Sequence, residues 1–255
     1  MISSQSPQER LAHLLSAAYG KHAAVECIPQ ELEPASAEDA YLVQQAFLRQ
    51  RQARIGGWKI GAKSNKGPIQ GAPLPAERIY PATSVVERAD YPVLGIELEI
   101  MFCFDSDFQP GAAPVPEQEV MSHISTMAAS IEIVSSRIAG WPEVPKLNQL
   151  ADLQNHGALV SGEFVAYDAA FPFLHPAAHL TLNGKDIFKG SASNPAGDPR
   201  RLLGWLVNHC RTHGMALPAG TIVTTGSYTG IHFPDEPGLV IGQIAGLPPI
   251  HFELA

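Results

Sequence analysis

Two short apolar segments carry three glutamates, and that combination limits what this chain can fold into more than any other feature. Gly95-Ile-Glu-Leu-Glu-Ile100 sets Glu97 and Glu99 between aliphatic residues, and Ser130-Ile-Glu-Ile-Val134 does the same for Glu132. Such flanks read as buried strands. Strand alternation then places Glu97 and Glu99 on one face, roughly 6.6 Å apart along the strand. Two ionised carboxylates side by side in apolar surroundings are costly unless positive charge lies between them. A hard divalent cation, Mg²⁺ or Mn²⁺, meets that need, because it takes oxygen ligands and keeps water positions free for a substrate. The competing arrangement is a solvated edge strand with two outward glutamates and an unrelated third.

Around these segments the pattern changes once. Ser6, Pro7 and Glu9 predict a capped helix whose stripe is Leu11, Leu14, Leu15 and Ala18 and whose stop is Gly20. Ser36 and Asp39 open a second helix with Leu42, Val43, Ala46 and Phe47 on one side, ending near Gly56. From Gly57 onward, glycine and proline punctuate short strands over 58–62, 96–104, 130–135, 157–165, 180–182, 221–225, 239–244 and 250–254. Two further helices are expected, from Pro116 to Ala129 (Val120, Ile124 and Met127 at helical spacing) and from Asp198 to Gly214. Strands outnumber helices and do not alternate with them, so the fold class is α+β. The expected organisation is a helical segment, 1–56, packed on a β-rich catalytic domain, 57–255.

A hydrophobic content of 45% supports a full core, and a charged fraction of only 16% points to subunit interfaces. The net charge of −8, with no long basic run, argues against nucleic acid or an anionic membrane as partner. Cys27, Cys103 and Cys210 are too scattered to form a disulfide framework. The opening Met1-Ile-Ser-Ser-Gln-Ser-Pro7 has no basic start before an apolar core, so a cytoplasmic location is expected.

Other motifs leave alternatives open. Gly57-Trp-Lys-Ile-Gly-Ala-Lys-Ser64 has the wrong glycine-to-lysine spacing for a phosphate loop. What remains is Lys59, either a snorkelling surface residue or a buried cation paired with an acid or a substrate carboxylate. His209 and His213 form half a zinc site without a third ligand, or simply suit a helix C-terminus, and His175 and His179 in a proline-containing loop are no stronger as ligands. Thr224-Thr-Gly-Ser-Tyr-Thr-Gly230 is either an ordinary turn or a donor-rich loop suited to carboxylate or enolate oxygens.

Together, Gly57-Trp-Lys-Ile-Gly61, the two acidic strands (the second extended to Ser-Ser-Arg137), Asn194-Pro-Ala-Gly-Asp198 and Thr225-Gly-Ser-Tyr-Thr-Gly230 resemble the fumarylacetoacetate hydrolase superfamily. The closer likeness is to its branch of 2-keto-4-pentenoate hydratases and 4-oxalocrotonate decarboxylases, enzymes of aromatic catabolism. The resemblance implies a mixed β-roll or sandwich fold, oligomerisation, and Mg²⁺ or Mn²⁺ held by Glu97, Glu99 and Glu132, with Lys59 in the active site. Two departures stand out. Pro75-Ala-Glu-Arg-Ile79 occupies the place of a hydratase segment like Leu-Phe-Ala-Asp-Met, which makes Glu77 the acid/base counterpart. Ala151-Asp-Leu-Gln-Asn-His-Gly157 replaces Ala-Asp-Asn-Ala-Ser-Ser-Gly, which puts Asn155 and His156 where the family has serines that help hold substrate.

The implied chemistry is a 2-oxo acid chelating the metal, with Lys59 neutralising its carboxylate and Glu77 or His156 moving protons at the distal carbons. Asn155, Ser227 and Thr229 are the expected substrate contacts, and Asn155 with His156 should favour a polar distal group over a bare vinyl. The expected activity is hydration of a 2-oxo-4-enoate or 2-hydroxydienoate. Decarboxylation and acylpyruvate C–C hydrolysis share the same metal and enolate, and an inactive scaffold paired with an active relative is the alternative of another class. The expected partners are a small 2-oxo acid, further copies of the chain, and a second enzyme of the same pathway.

Overall fold

Capping decides where the chain enters its first two helices. The structure, a computed structural model, describes residues 5–19 and 24–255. The Ser6 hydroxyl accepts from the Glu9 amide at 3.2 Å, and the Glu9 carboxylate accepts from the Ser6 amide at 2.9 Å, closing a capping box on α1 (Pro7–Ala18). Ser36 caps α2 (Ala37–Arg51) by accepting from the Asp39 amide at 3.1 Å. The stop expected at Gly20 lies outside the described residues. α2 ends earlier than expected, where Gln52 turns left-handed at φ 52°, and the chain enters β1 (Ile55–Ala62) directly. Leu42 is 41% exposed, so the buried face of α2 is carried by Ala40, Val43, Ala46 and Phe47 instead.

The rest of the chain runs through β2 (Ile69–Pro75), β3 (Ile79–Pro81), β4 (Val85–Val86), β5 (Gly95–Phe104), α3 (Glu117–Ser122), β6 (Ile124–Val134) and α4 (Lys146–Ala151). It continues through β7 (His156–Ser161), β8 (Val165–Ala166), β9 (Ala178–Leu182), β10 (Lys185–Asp186), α5 (Arg201–Thr212), β11 (Ile222–Ser227), β12 (Gly238–Ile244) and β13 (Ile250–Leu254). An eight-stranded sheet has the order β2-β1-β11-β5-β6-β7-β3, with β8 paired to β6, and a five-stranded sheet has the order β10-β9-β12-β13-β4. Parallel pairs (β1 with β11, β3 with β7, β4 with β13) sit among antiparallel ones, so the sheets are mixed as expected.

Two elements depart from their sequence signals. The helix expected to Ala129 stops at Ser122, and Ile124 begins β6, an 11-residue strand paired with β5 on one side and β7 on the other. A strand buried on both faces shows no apolar–polar alternation, and its residues imitated a helical period. β2 contains Pro73 and Pro75, which argue against a strand; as the edge of its sheet it has outward positions where no amide is needed.

Sheet packing decides which way the glutamates face. A Cβ on Gly242 of β12 would come within 2.7 Å of Leu98 Cδ1 and 3.2 Å of Ile131 Cδ1, so those two side chains point at the small sheet. Alternation turns Glu97, Glu99 and Glu132 to the opposite face. That face is partly roofed by the segment through α4. Ile138, Val144, Leu150 and Leu153 share a core with α1 and α2, and the buried Gln44 amide donates to Leu150 O at 2.7 Å and Gly71 O at 3.2 Å. Among the described residues no helix is long and apolar enough to cross a membrane.

Candidate functional site

Strand register brings the three glutamates together. Glu97 pairs directly with Glu132 across β5 and β6, and Glu99 pairs with Ser130. One carboxylate oxygen from each of Glu97, Glu99 and Glu132 lies within 4.8 Å of the others, the only such group of three His, Cys, Asp or Glu ligands among the described residues. β1 carries Lys59 alongside, where Nζ donates to Glu132 Oε1 at 2.6 Å and to Gln154 O at 3.0 Å. On the other side the register of β11 slips between Thr224 and Ser227. This bulge leaves Gly226 at φ 89° and turns its amide onto Glu99 Oε2 at 3.0 Å, an oxygen that also accepts from the Thr224 hydroxyl. Asn194 clamps the bulge by donating to Thr225 O at 2.8 Å and Gly226 O at 2.9 Å.

Burial pushes Glu97 up to about 7 and Glu99 up to about 8, and the Glu132 carboxylate adds to both shifts. Glu132 goes the other way: burial opposes its charge, but Lys59 and His156 hold it below the usual carboxylate range. One acid is therefore ionised against Lys59, while two need a proton or a cation near neutral pH. Three convergent carboxylates short of positive charge are a donor set that fits a hard divalent ion.

The rim is built differently. Leu153, Gln154 and Asn155 take successive left-handed conformations at φ 50°, 52° and 58°, which residues with side chains adopt only when their surroundings impose it. A buried network imposes it here. Arg137 Nε donates to Asp152 Oδ1, and the Arg137 amide donates to Asp152 Oδ2 at 2.8 Å. The guanidinium also donates to Asp152 O at 2.6 Å and His156 O at 2.8 Å. Gln149 Nε2 donates to Val144 O at 2.6 Å and Pro142 O at 3.1 Å, so its Oε1 is the atom that accepts from Asn155 Nδ2 at 3.2 Å. Asn155 Oδ1 is left buried without a partner, on a residue lining the cavity. That cavity, about 200 Å³ above the carboxylates, adjoins an outer chamber of about 470 Å³ whose lining includes Lys63, Lys146, Asn194 and Ser227.

The fumarylacetoacetate (FAA) hydrolase C-terminal family model matches residues 74–243, a span containing all three glutamates, Asn194 and the Thr224–Gly230 loop. The chain belongs to the fumarylacetoacetate hydrolase family. A 2-hydroxyhexa-2,4-dienoate hydratase of Comamonas testosteroni is 28% identical over 205 residues, covering 74% of this chain and 75% of that protein. A 2-keto-4-pentenoate hydratase of Paraburkholderia phymatum is 26% identical over 218 residues, covering 82% of each. Among solved structures, a 4-oxalocrotonate decarboxylase from Pseudomonas putida G7, complexed with magnesium and adipate, superposes with a TM-score of 0.86 over 99% of both chains at 18% identity, which shows a shared fold.

Within this family member, Lys59, Glu97, Glu99, Glu132 and Asn155 line the inner cavity, and Ser227 lines the outer one. Three expected site residues are placed elsewhere. Glu77 is exposed on a 3₁₀ turn (Ala76–Arg78) past Pro75, at the end of β2 opposite to Gln70, which lines the cavity. It is set aside as an acid/base. His156 is buried beneath Glu132, donating from Nδ1 to Oε1 at 3.1 Å with Nε2 unpartnered; burial pushes its pKa down, so it is a neutral ring that orients Glu132 and does not line the pocket. Thr229 donates to Gly230 O at 3.1 Å and accepts from the Leu98 amide at 3.3 Å, tying its loop to β5. His209 and His213 belong to packing between α2 and α5: His209 stacks on Trp205, and His213 pairs with Glu38 at 3.0 Å.

Sequence reasoning missed Lys63, Lys146 and the Gln154 carbonyl. Lys63 lies one residue past the end of β1, in a bend, so strand alternation does not place it. Nothing local marks Lys146, which reaches the cavity only because α4 docks there.

Proposed function

We propose that this protein is a divalent-metal-dependent hydratase that adds water to a 2-oxo-4-enoate, or its 2-hydroxydienoate tautomer, in aromatic catabolism. The observation that carries this is the convergence of Glu97, Glu99 and Glu132 beside Lys59 on the floor of one cavity. The hydratases of Comamonas testosteroni and Paraburkholderia phymatum support the lyase assignment. Glu97, Glu99 and Glu132 would hold Mg²⁺ or Mn²⁺, which when bound supplies Lewis acidity to the carboxylate and keto oxygens of a 2-oxo acid.

The chain's own groups then have distinct tasks. Lys59 keeps Glu132 ionised and sets a cation beside the substrate's carboxylate. Thr224 and the Gly226 amide fix the orientation of Glu99, and His156 does so for Glu132. Asn155 Oδ1 is the unpartnered acceptor suited to a water or hydroxyl at the substrate's distal carbons. With Glu77 and His156 off the cavity, the titratable side chains facing a substrate are the three glutamates and Lys59, Lys63 and Lys146. Lys59 is our assignment for proton transfer.

Decarboxylation is the second reading, favoured by the end-to-end fold match with the Pseudomonas putida decarboxylase. Acylpyruvate hydrolysis is the third, and the intact acid set argues against an inactive scaffold. The assignment also includes a homo-oligomer in the cytoplasm, supported by the 16% charged fraction and by large exposed apolar side chains such as Val85 and Phe233. The helical segment acts in it as a packing element of the catalytic domain. The test is to incubate the protein with 2-hydroxypenta-2,4-dienoate and with 2-oxohex-3-enedioate, adding Mg²⁺, Mn²⁺ or chelator. A water adduct of the dienoate, lost with chelator, is expected. CO₂ from the dicarboxylate without any hydration would replace hydratase by decarboxylase, and metal binding without turnover of either would replace both.

A further inference from the structure

We infer that a single monatomic halide, chloride being the common one, binds in a small cavity behind the roof of the site, between the Tyr19 hydroxyl and the Arg78 guanidinium. This cavity, about 20 Å³, is lined by Tyr19, Arg78, Asp90, Tyr91, Ser135 and Arg137, and it shares no residue with the cavity over the three glutamates. A space of that size admits one water-sized sphere. Chloride is little larger than a water molecule, whereas phosphate, sulfate or a carboxylate does not fit.

The walls are rich in donors and short of acceptors. The Tyr19 hydroxyl is buried without a hydrogen-bond partner, a cost that only an acceptor removes. Arg78 uses Nη1 alone, donating to the Tyr80 hydroxyl at 3.2 Å and the Tyr91 hydroxyl at 3.3 Å; its Nε and Nη2 donate to no described residue. Three guanidinium groups also surround the Tyr19 ring, with Arg51, Arg78 and Arg137 at 4.0, 5.1 and 5.5 Å from its centroid. Cations over one π system draw on its electrons and make the phenol a stronger donor and a poorer acceptor.

The counter-charges do not match these cations. Arg137 alone has a buried acid, Asp152. Arg78 reaches the Asp90 carboxylate only at 3.9 Å, and that side chain is 52% exposed. Arg51 and the exposed Glu77 take part in no ion pair among the described residues. A water here accepts from Tyr19 but brings two more donors to a wall already short of acceptors. A halide accepts from Tyr19 and Arg78 and donates to neither. The ion also lies behind the left-handed turn, because the Ser135 amide donates to Asn155 O at 2.8 Å and Arg137 holds Asp152. Its binding therefore stabilises that turn without touching the reacting groups.

Crystals of the Mg²⁺-loaded protein grown in bromide test this directly: an anomalous peak should lie within hydrogen-bond reach of Tyr19 Oη. In solution, exchanging gluconate, which is too large for the cavity, for chloride at constant ionic strength should raise the melting temperature by about 3 °C. Tyr19→Phe removes only the unpartnered hydroxyl. In gluconate it should melt no lower than wild type, which shows that it is folded, and its response to chloride should fall below about 1 °C. Water density without an anomalous signal at Tyr19 and Arg78 overturns the site. So does a chloride response of equal size in wild type and Tyr19→Phe, which is a general salt effect. If the variant does not fold, the bromide map of the wild-type protein decides alone.

Discussion

Two clusters of buried charge lie beside each other in this protein and are treated oppositely. Around Arg137 and Asp152 the cluster is closed: one cation meets one anion, and the spare donors reach carbonyls of Asp152 and His156. Around Glu97, Glu99 and Glu132 it is open, with three carboxylates against the single ammonium of Lys59. A closed cluster shapes backbone, here the left-handed turn through Leu153–Asn155. An open one costs stability in the empty protein and has a use only when a cation completes it. Gln154 O and His156 join the two, so the structural cluster aims the groups that the chemical one uses.

The largest effect should come from breaking the closed cluster. Arg137→Met leaves Asp152 buried without its partner and should cost about 3–5 kcal/mol, seen as a lower denaturant midpoint at unchanged slope. Glu99→Gln, by contrast, removes a surplus charge and should leave the metal-free protein at least as stable at pH 8. If the two variants destabilise equally, the distinction between closed and open is wrong.

The second effect is on metal affinity. Glu97→Gln and Glu99→Gln each replace a carboxylate by a poor ligand for a hard ion, and Mn²⁺ should bind more than roughly 100-fold more weakly, beyond the usual effect of losing an outer hydrogen-bond partner. His156→Ala touches Glu132 only from behind and should cost less, roughly 10-fold. Unchanged Mn²⁺ affinity in both glutamine variants would remove the metal from this site.

pH sharpens the contrast further. Glu97 and Glu99 titrate at about 7 and 8 when folded, above their unfolded values, so the folded state holds protons that the unfolded chain has released. Their contribution is fully present below the unfolded carboxylate range and is lost as pH rises through 7 and 8. Metal-free protein should therefore lose stability from pH 5.5 to 8.5, by up to about 1.4 kcal/mol per pH unit for each proton released. The depressed Glu132 works in the opposite sense, but only at lower pH. Saturating Mg²⁺ should flatten the slope, because the ion replaces the protons. A melting temperature that climbs over that range with chelator present would contradict the open-cluster description.

The open cluster was legible in the sequence and the closed one was not, for a physical reason. Glu97, Glu99 and Glu132 sit in regular strands, where a period of two converts sequence directly into facing. The caps at Ser6 and Ser36 are likewise local. The turn at Leu153–Asn155 contains no glycine, and its left-handed backbone is dictated by Arg137, which is remote in sequence. Glu77 and His156 were placed by their position in a family pattern, whereas register and burial decide what reaches the cavity. The first half of β6 carries a helical period in the sequence because burial on both faces erases the alternation that identifies a strand.

The smallest effect tests whether the closed cluster acts through backbone alone. Gln154 is held at φ 52°, which strains a residue with a side chain, while its carbonyl accepts from Lys59 at 3.0 Å. Gln154→Gly relieves the strain but frees the unfolded chain, so the two effects should cancel to within about 1 kcal/mol. If the carbonyl is what matters, Lys59 stays in place, and kcat and Mn²⁺ affinity should remain within about twofold of wild type. The side chain also lines the cavity, so a change confined to KM would assign it a substrate contact. A collapse of kcat with stability intact would show that the side chain, and not the backbone held by Arg137 and Asp152, positions Lys59.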